Sequence, residues 1–203
     1  MSRYRGPKLK IIRRLGALPA LSSKISNKKN PPGQHGRKNA KLSQYAIRLL
    51  EKQKLRYHYG VSETQLFLYL KKARQNSRST AQVLLELLEM RLDNIVFRLG
   101  FANTVNQARQ LINHEHILVN QNKMTIPSYQ CQIHDTIEIS PKLIKQKADF
   151  FKHWKTSILL ESFPSFVSVN TEKISAQINN FVSRSDILLQ LNELLVIEYY
   201  SKK

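Results

Sequence analysis

The chain has 203 residues, 41% of them apolar, with 33 Lys+Arg against 14 Asp+Glu and a formal net charge of +19. That length suits one or two domains with a real core, and an imbalance of this size disfavours compaction unless a polyanion neutralises it. The single cysteine, Cys131, excludes an internal disulfide framework and a multi-cysteine zinc site, and without a run of about 18 apolar residues no helix is expected to span a membrane.

The excess charge is concentrated at one end. Residues 1–60 hold 16 Lys+Arg and one acid, residues 61–89 four and three, residues 90–140 four and four, and residues 141–203 nine and six. Any electrostatic grip on a polyanion is therefore expected mainly from the first 60 residues. Residues 1–42 show little sustained periodicity and are interrupted at Gly6-Pro7, Pro19, Pro31-Pro32-Gly33 and Gly36. Free in solution such a segment repels itself; along a phosphate backbone it gains by counterion release. The plainer alternative is a solubilising tail. The N-terminus has neither the apolar stretch of a secretory leader nor an extended Ser/Arg leader, so the protein is expected to be made where it works.

Ser43 predicts a helix ending near Gly60, with Ala46, Leu49, Leu50, Gln53 and Tyr57 as its inner stripe. Arg48, Lys52 and Arg56 recur every four residues and read as one basic ridge for phosphates, or else as a solvated face. Ser62 and Gln65 have capping-box spacing, with Val61 and Leu66 placed as a hydrophobic staple. Ser79 and Gln82 open a third helix.

Met90 to Ser140 reads as two short helices followed by strands. Leu92, Ile95, Val96 and Leu99 fall on one helical face, and Gly100 supplies a helix-ending residue. Thr104 and Gln107 repeat the capping-box spacing. Ile117–Val119 is a short β-branched run, Asn120-Gln121-Asn122 a turn, and residues 136–140 alternate as a half-buried strand does. Arg91 and Arg98 on the first helix and Arg109 on the second make this stretch a candidate nucleic-acid reader, although the pattern by itself fits any small α+β domain. Residues 141–154 read as a basic helix or link, 166–170 and 174–178 as two strands, and Ser185-Asp186 as the cap of a last helical stretch. The closing segment, residues 192–200, is too apolar to stand in water and is expected to dock on another module.

Catalytic chemistry has no foothold. His114-Glu115-His116 is half a metal site at best, the acids are not paired, and no nucleophile elbow, zinc-protease or dinucleotide motif occurs. Gly33-Gln34-His35-Gly36 is too short to cradle phosphate alone. No catalytic residue, metal or cofactor is expected.

Several segments together resemble a known family: Ser2-Arg3-Tyr4 through Lys10, Pro32-Gly33-Gln34-His35-Gly36, Glu51 through Val61, Arg91 through Ala102, Ala108 through Leu111, and Asn192 through Ser201. They resemble small-subunit ribosomal protein four in its bacterial and organellar form, over essentially the whole chain, and the Ile, Asn and Lys richness is similar to plastid versions. The resemblance implies an α+β fold in which a discontinuous helical domain carries an inserted small α+β RNA-binding domain and an extended basic N-terminal segment. The expected divisions are 1–42, 43–89 completed by about 183–203, 90–150, and 151–182 as a strand-containing extension.

By the same resemblance the protein is a primary binder of small-subunit rRNA that nucleates assembly of the subunit body and affects translational accuracy. Its implied partners are small-subunit ribosomal protein five, other ribosomal proteins and mRNA where it enters the subunit, with no membrane. The implied location is the chloroplast stroma. RNA contact carries over to Arg3, Tyr4, Lys8, Lys10, Gln34, His35, Lys52, Lys54, Arg56, Arg91 and Arg109; spacing adds Arg48 and Arg98. Three departures from the family pattern stand out: no cysteines in residues 20–40, Val105 where Arg is frequent, and Gln121 where Gly is usual. An RNA-modifying enzyme bearing the same RNA-binding domain, or a free-standing RNA chaperone or regulator, are the alternatives.

Overall fold

The computed structural model describes residues 4–28, 30–34, 36, 41–151, 154 and 163–201. Arg3 and His35 lie outside the described residues. The chain divides into two compact units, Met1–Leu85 with Leu188–Lys203, and Glu86–Ile187.

The first unit is helical. Helix α1, Lys8–Leu15, turns Ile11 and Leu15 inward, and Leu18, Ala20 and Leu21 are buried after it. The reading of residues 1–42 as having little sustained periodicity did not single out this helix. One i, i+4 apolar pair is too short a stripe to stand out among basic residues, yet it suffices to seat two turns of helix once a core is available. Arg13 then ties down the following loop, donating through Nε and Nη2 to the Asn30 carbonyl at 3.0 and 2.7 Å. Helix α2 is Gln44–His58, and the Ser43 hydroxyl accepts from the Ala46 amide. Helix α3 is Glu63–Arg74, where Ser62 caps the Gln65 amide and the staple residues Val61 and Leu66 are both buried. Helix α4, Thr80–Glu89, carries the chain onward. The C-terminal helix, Glu193–Ser201, buries Val196, Tyr199 and Tyr200. It packs on α2 and α3 through ring contacts of Tyr199 with Tyr45 and of Tyr200 with Phe67. The apolar tail thus finds its partner inside the same unit.

The second unit has helices α5, Leu92–Arg98, and α6, Val105–Asn113, both ending as local chemistry dictates. Gly100 takes φ +71° beyond α5, and the Trp154 indole Nε1 closes over it, donating to the Leu99 carbonyl at 2.8 Å. Thr104 accepts from the Gln107 amide, while the Gln107 side chain reaches back one residue further than expected, to the Asn103 amide. Strands β1 (Ile117–Val119), β2 (Asn122–Lys123), β3 (Thr136–Ile139), β4 (Val167–Asn170) and β5 (Ser175–Ile178) form one antiparallel sheet of order β2-β1-β3-β5-β4. Helix α7, Pro141–Gln146, follows β3. Because β5 pairs with β3, the late strands complete the same sheet as the early ones. Leu92, Ile95, Val96, Ala108, Ile112, Ile117, Ile137 and Ile178 form the fully buried centre of its core.

The last helical stretch differs from expectation. Ser183, not Ser185, is the cap, and it closes only a 3-10 turn, Arg184–Asp186, with Asp186 completing the capping box. The Asp186 carboxylate also accepts from the Ser165 amide and hydroxyl, so the turn is pinned to the start of the late hairpin instead of opening a helix.

At the β1–β2 turn, Asn120 and Gln121 have φ +50° and +67°, the mirror-image geometry that matches strand twist in a two-residue hairpin. Asn120 is held there by its side chain, which donates to Asp135 and accepts from the Thr136 amide. Gln121 bears the left-handed conformation without glycine's freedom. Gln121→Gly is therefore expected to stabilise this unit by about 0.5–1 kcal/mol, read as a higher urea midpoint in Trp154 fluorescence; an unchanged or lower midpoint contradicts the strain.

Candidate RNA-binding surface

The α2 cations are not an open ridge. Lys52 is 4% exposed; its Nζ donates to both Glu63 oxygens at 3.0 and 2.9 Å and sits 4.6 Å from the Tyr199 ring centroid. Arg48 Nε pairs with Glu198 Oε2 of the C-terminal helix at 2.6 Å. Lys54 pairs with Glu51 at 2.5 Å, and the other Glu51 oxygen accepts from the Asn192 amide at 3.1 Å. Arg56 is half-buried and lies over the Tyr57 ring. Arg48 and Lys52, read from spacing as part of a phosphate ridge or a solvated face, are engaged here with acids of the C-terminal helix and of α3. Burial would raise the Glu63 carboxyl, but the hydrogen bonds from Lys52 and Tyr200 and the charges of Lys52 and Arg56 hold it below its usual value. Burial first, and then the bond it donates to Glu63, push the Tyr200 phenol well up.

The arginines of the second unit are also spoken for. Arg91 is 2% exposed. Its Nε and Nη2 donate to the two Asp93 oxygens at 2.9 and 2.7 Å, and Arg109 Nε donates to Asp93 Oδ2 at 2.7 Å. Asp93 lies in the first turn of α5, where the helix dipole favours a carboxylate. Arg98 donates to the Asp186 carbonyl and lies 3.8 Å from Glu89. Glu89 in turn accepts from the Asn94 amide at 2.6 Å. Arg91 and Arg98, expected as RNA contacts, are engaged here in bonds that hold α5 in place. Arg109 is largely buried beside the same carboxylate.

Accessible cations gather elsewhere. Lys10 is exposed on α1, as are Arg5 before it and Arg14 on its last turn; Lys8 is half-buried and Gln34 exposed. Tyr4 is 42% exposed and rests edge-on against Tyr57, ring centroids 5.5 Å apart. A cavity of about 810 Å³ opens beside α1, with Ile12, Leu15 and Leu18 as its floor and Lys24, Lys28 and Lys54 among its walls. Lys71, Lys72 and Arg74 are exposed at the end of α3. The charge count missed them because Glu63, Glu86 and Glu89 cancel them in sequence, although Glu63 and Glu89 are committed to other partners; the Lys71-Lys72-x-Arg74 run was the available signal.

Among the described residues, no group of three or more His, Cys, Asp or Glu could hold a metal ion. Cys131 is buried; burial first, then the charges of Asp135 and Asp93, push its thiol far up, the opposite of what a nucleophile needs. No described helix is long and apolar enough to cross a membrane.

A cation-rich helical unit joined to a charge-balanced α+β unit defines a protein suited to bind a polyanion. Comparison with known proteins makes this specific. Residues 3–89 match the ribosomal protein S4/S9 N-terminal domain and residues 90–137 match the S4 domain. Over the full length of both chains, the sequence is 54% identical to small ribosomal subunit protein uS4c of Oltmannsiellopsis viridis, 52% to that of Prototheca wickerhamii and 50% to that of Gracilaria tenuistipitata var. liui. The chain belongs to the ribosomal protein S4 family in its chloroplast form, a family of structural ribosomal proteins and not of enzymes.

Proposed function

We propose that this protein is a primary binder of small-subunit rRNA in the plastid stroma. It nucleates assembly of the subunit body, lies beside small-subunit ribosomal protein five close to where mRNA enters, and contributes to decoding accuracy. The observation that carries this reading is the division of charge: cations of the first unit around α1 and the end of α3 are exposed, while the arginines of α5 and α6 are consumed internally. Phosphate neutralisation by the first unit supplies affinity, and the second unit offers a shaped surface to structured RNA. Of the expected contacts, Tyr4, Lys8, Lys10 and Gln34 keep the accessibility the role requires; Arg5, Arg14, Lys71, Lys72 and Arg74 join them.

The test is the salt dependence of binding to small-subunit rRNA. Changing Arg5, Lys10 and Arg14 together to Gln should flatten the slope of log K against log salt by roughly 2–3. The same change at Arg48, Lys52 and Arg56 should leave the slope alone and lower the melting temperature. Equal slopes for wild type and the α1 variant would remove α1 from the interface.

A further inference from the structure

The second unit has an RNA-facing role in the reading above but has lost Arg91, Arg98 and Arg109 to internal ion pairs, so its own anion contact must lie elsewhere. Among the described residues, one cluster of basic side chains stands out. Helix α6 ends with the His116 amide bonded to the Leu111 carbonyl and the Glu115 amide to the Ile112 carbonyl, each at 3.0 Å, with Glu115 at φ +59°. This is a Schellman ending, and it folds the chain back so that the His114 and His116 rings stand side by side, centroids 6.1 Å apart. The Ser140 amide donates to the His116 carbonyl at 2.9 Å, which sets the start of α7 against them. Lys142 and Lys145 lie on α7 and Lys147 just beyond it; all three are exposed, as is His114, while His116 is half-buried.

We infer that the α6–α7 junction, His114, His116, Lys142 and Lys147, is the phosphate-binding patch through which the second unit grips the RNA backbone. This rests on the rRNA-binding reading and adds a site to it. The patch also links binding to protonation. Burial first, and then the charges of His114, Lys142 and Lys147, hold the His116 imidazole below its ordinary value. A phosphate set among these groups offsets the neighbouring positive charges and draws a proton onto the ring. The carboxylates nearby do not take that place: Glu115 is turned to Lys123 of β2 at 3.0 Å, and Glu138, opposite Leu118 in the β1–β3 register, shares the sheet face of His116 without figuring among the charges that shift it.

The test uses the full chain and small-subunit rRNA, at about pH 7.5 and about pH 5.5, with wild type beside His114→Gln/His116→Gln and Lys142→Gln/Lys147→Gln. Wild type should bind about three- to tenfold tighter at the lower pH, and the histidine pair should abolish most of that gain. The lysine pair should flatten the salt slope by roughly 1.5 at the higher pH. Trp154 fluorescence unfolding curves report whether each variant folds; the two lysines are exposed, so that arm stands even where the His116 change disturbs packing. A wild-type pH gain and salt slope in both variants overturns the patch and leaves rRNA binding intact. Failure of wild type to bind rRNA overturns the parent reading and the patch with it.

Discussion

Asp93→Asn is expected to cost the 86–187 unit about 3 kcal/mol or more, the range for breaking a buried ion pair by removing one partner. The side chain keeps its shape, so the loss is one of charge. Arg91 stays buried after losing both of its charge-assisted bonds to Asp93. Arg109, less deeply placed on α6, loses the same anchor but can turn its head toward water. The measurement is urea unfolding followed by the fluorescence of Trp154, the single tryptophan, which is packed in that unit's core. Adding Arg91→Met to Asp93→Asn should recover much of the loss, since a buried pair replaced by apolar groups is often neutral. A cost below about 1 kcal/mol would mean the triad behaves as a surface pair.

Removing residues 193–203 should unfold the first unit while sparing the second. Val196 is 0% exposed and Tyr199 and Tyr200 are each 7% exposed. At about 1.5–3 kcal/mol per buried side chain, their burial amounts to roughly 5–9 kcal/mol before entropy, as large as the net stability of a domain. The deletion also takes Glu198 from Arg48, the Tyr200 hydroxyl from Glu63 and the Tyr199 ring from Lys52. Hydrogen exchange should show α2 and α3 losing protection, with the Trp154 unfolding midpoint unchanged. Protection retained in α2 would show that the early helices hold a core without the C-terminal helix.

The identity of this chain was carried by motifs distributed along its whole length, and the relatives that match it from end to end agree with that. Its helices were legible because caps and stripes are local. Ser43, Ser62 and Thr104 each bond an amide three residues on, and the apolar face of α5 follows from spacing alone. Elements that lean on a distant partner were less legible: α1, which needs a core to sit on, and the Ser183–Asp186 turn, whose carboxylate is held by Ser165.

The candidate surface shows the same division more sharply. Composition by itself pointed to a polyanion partner, because 33 cations against 14 acids find no balance within the chain. Only the tertiary structure decided which cations remain to do so. Arg48 meets Glu198 across 150 residues and Arg109 meets Asp93 across 16. Whether a basic side chain is a ligand for RNA or a bolt in the fold depends on such long-range pairings, in which a carboxylate brought within about 3 Å in a water-poor setting outweighs a distant phosphate. Spacing along a helix says which side chains share a face; the partner helix that folds onto that face decides whether it stays open.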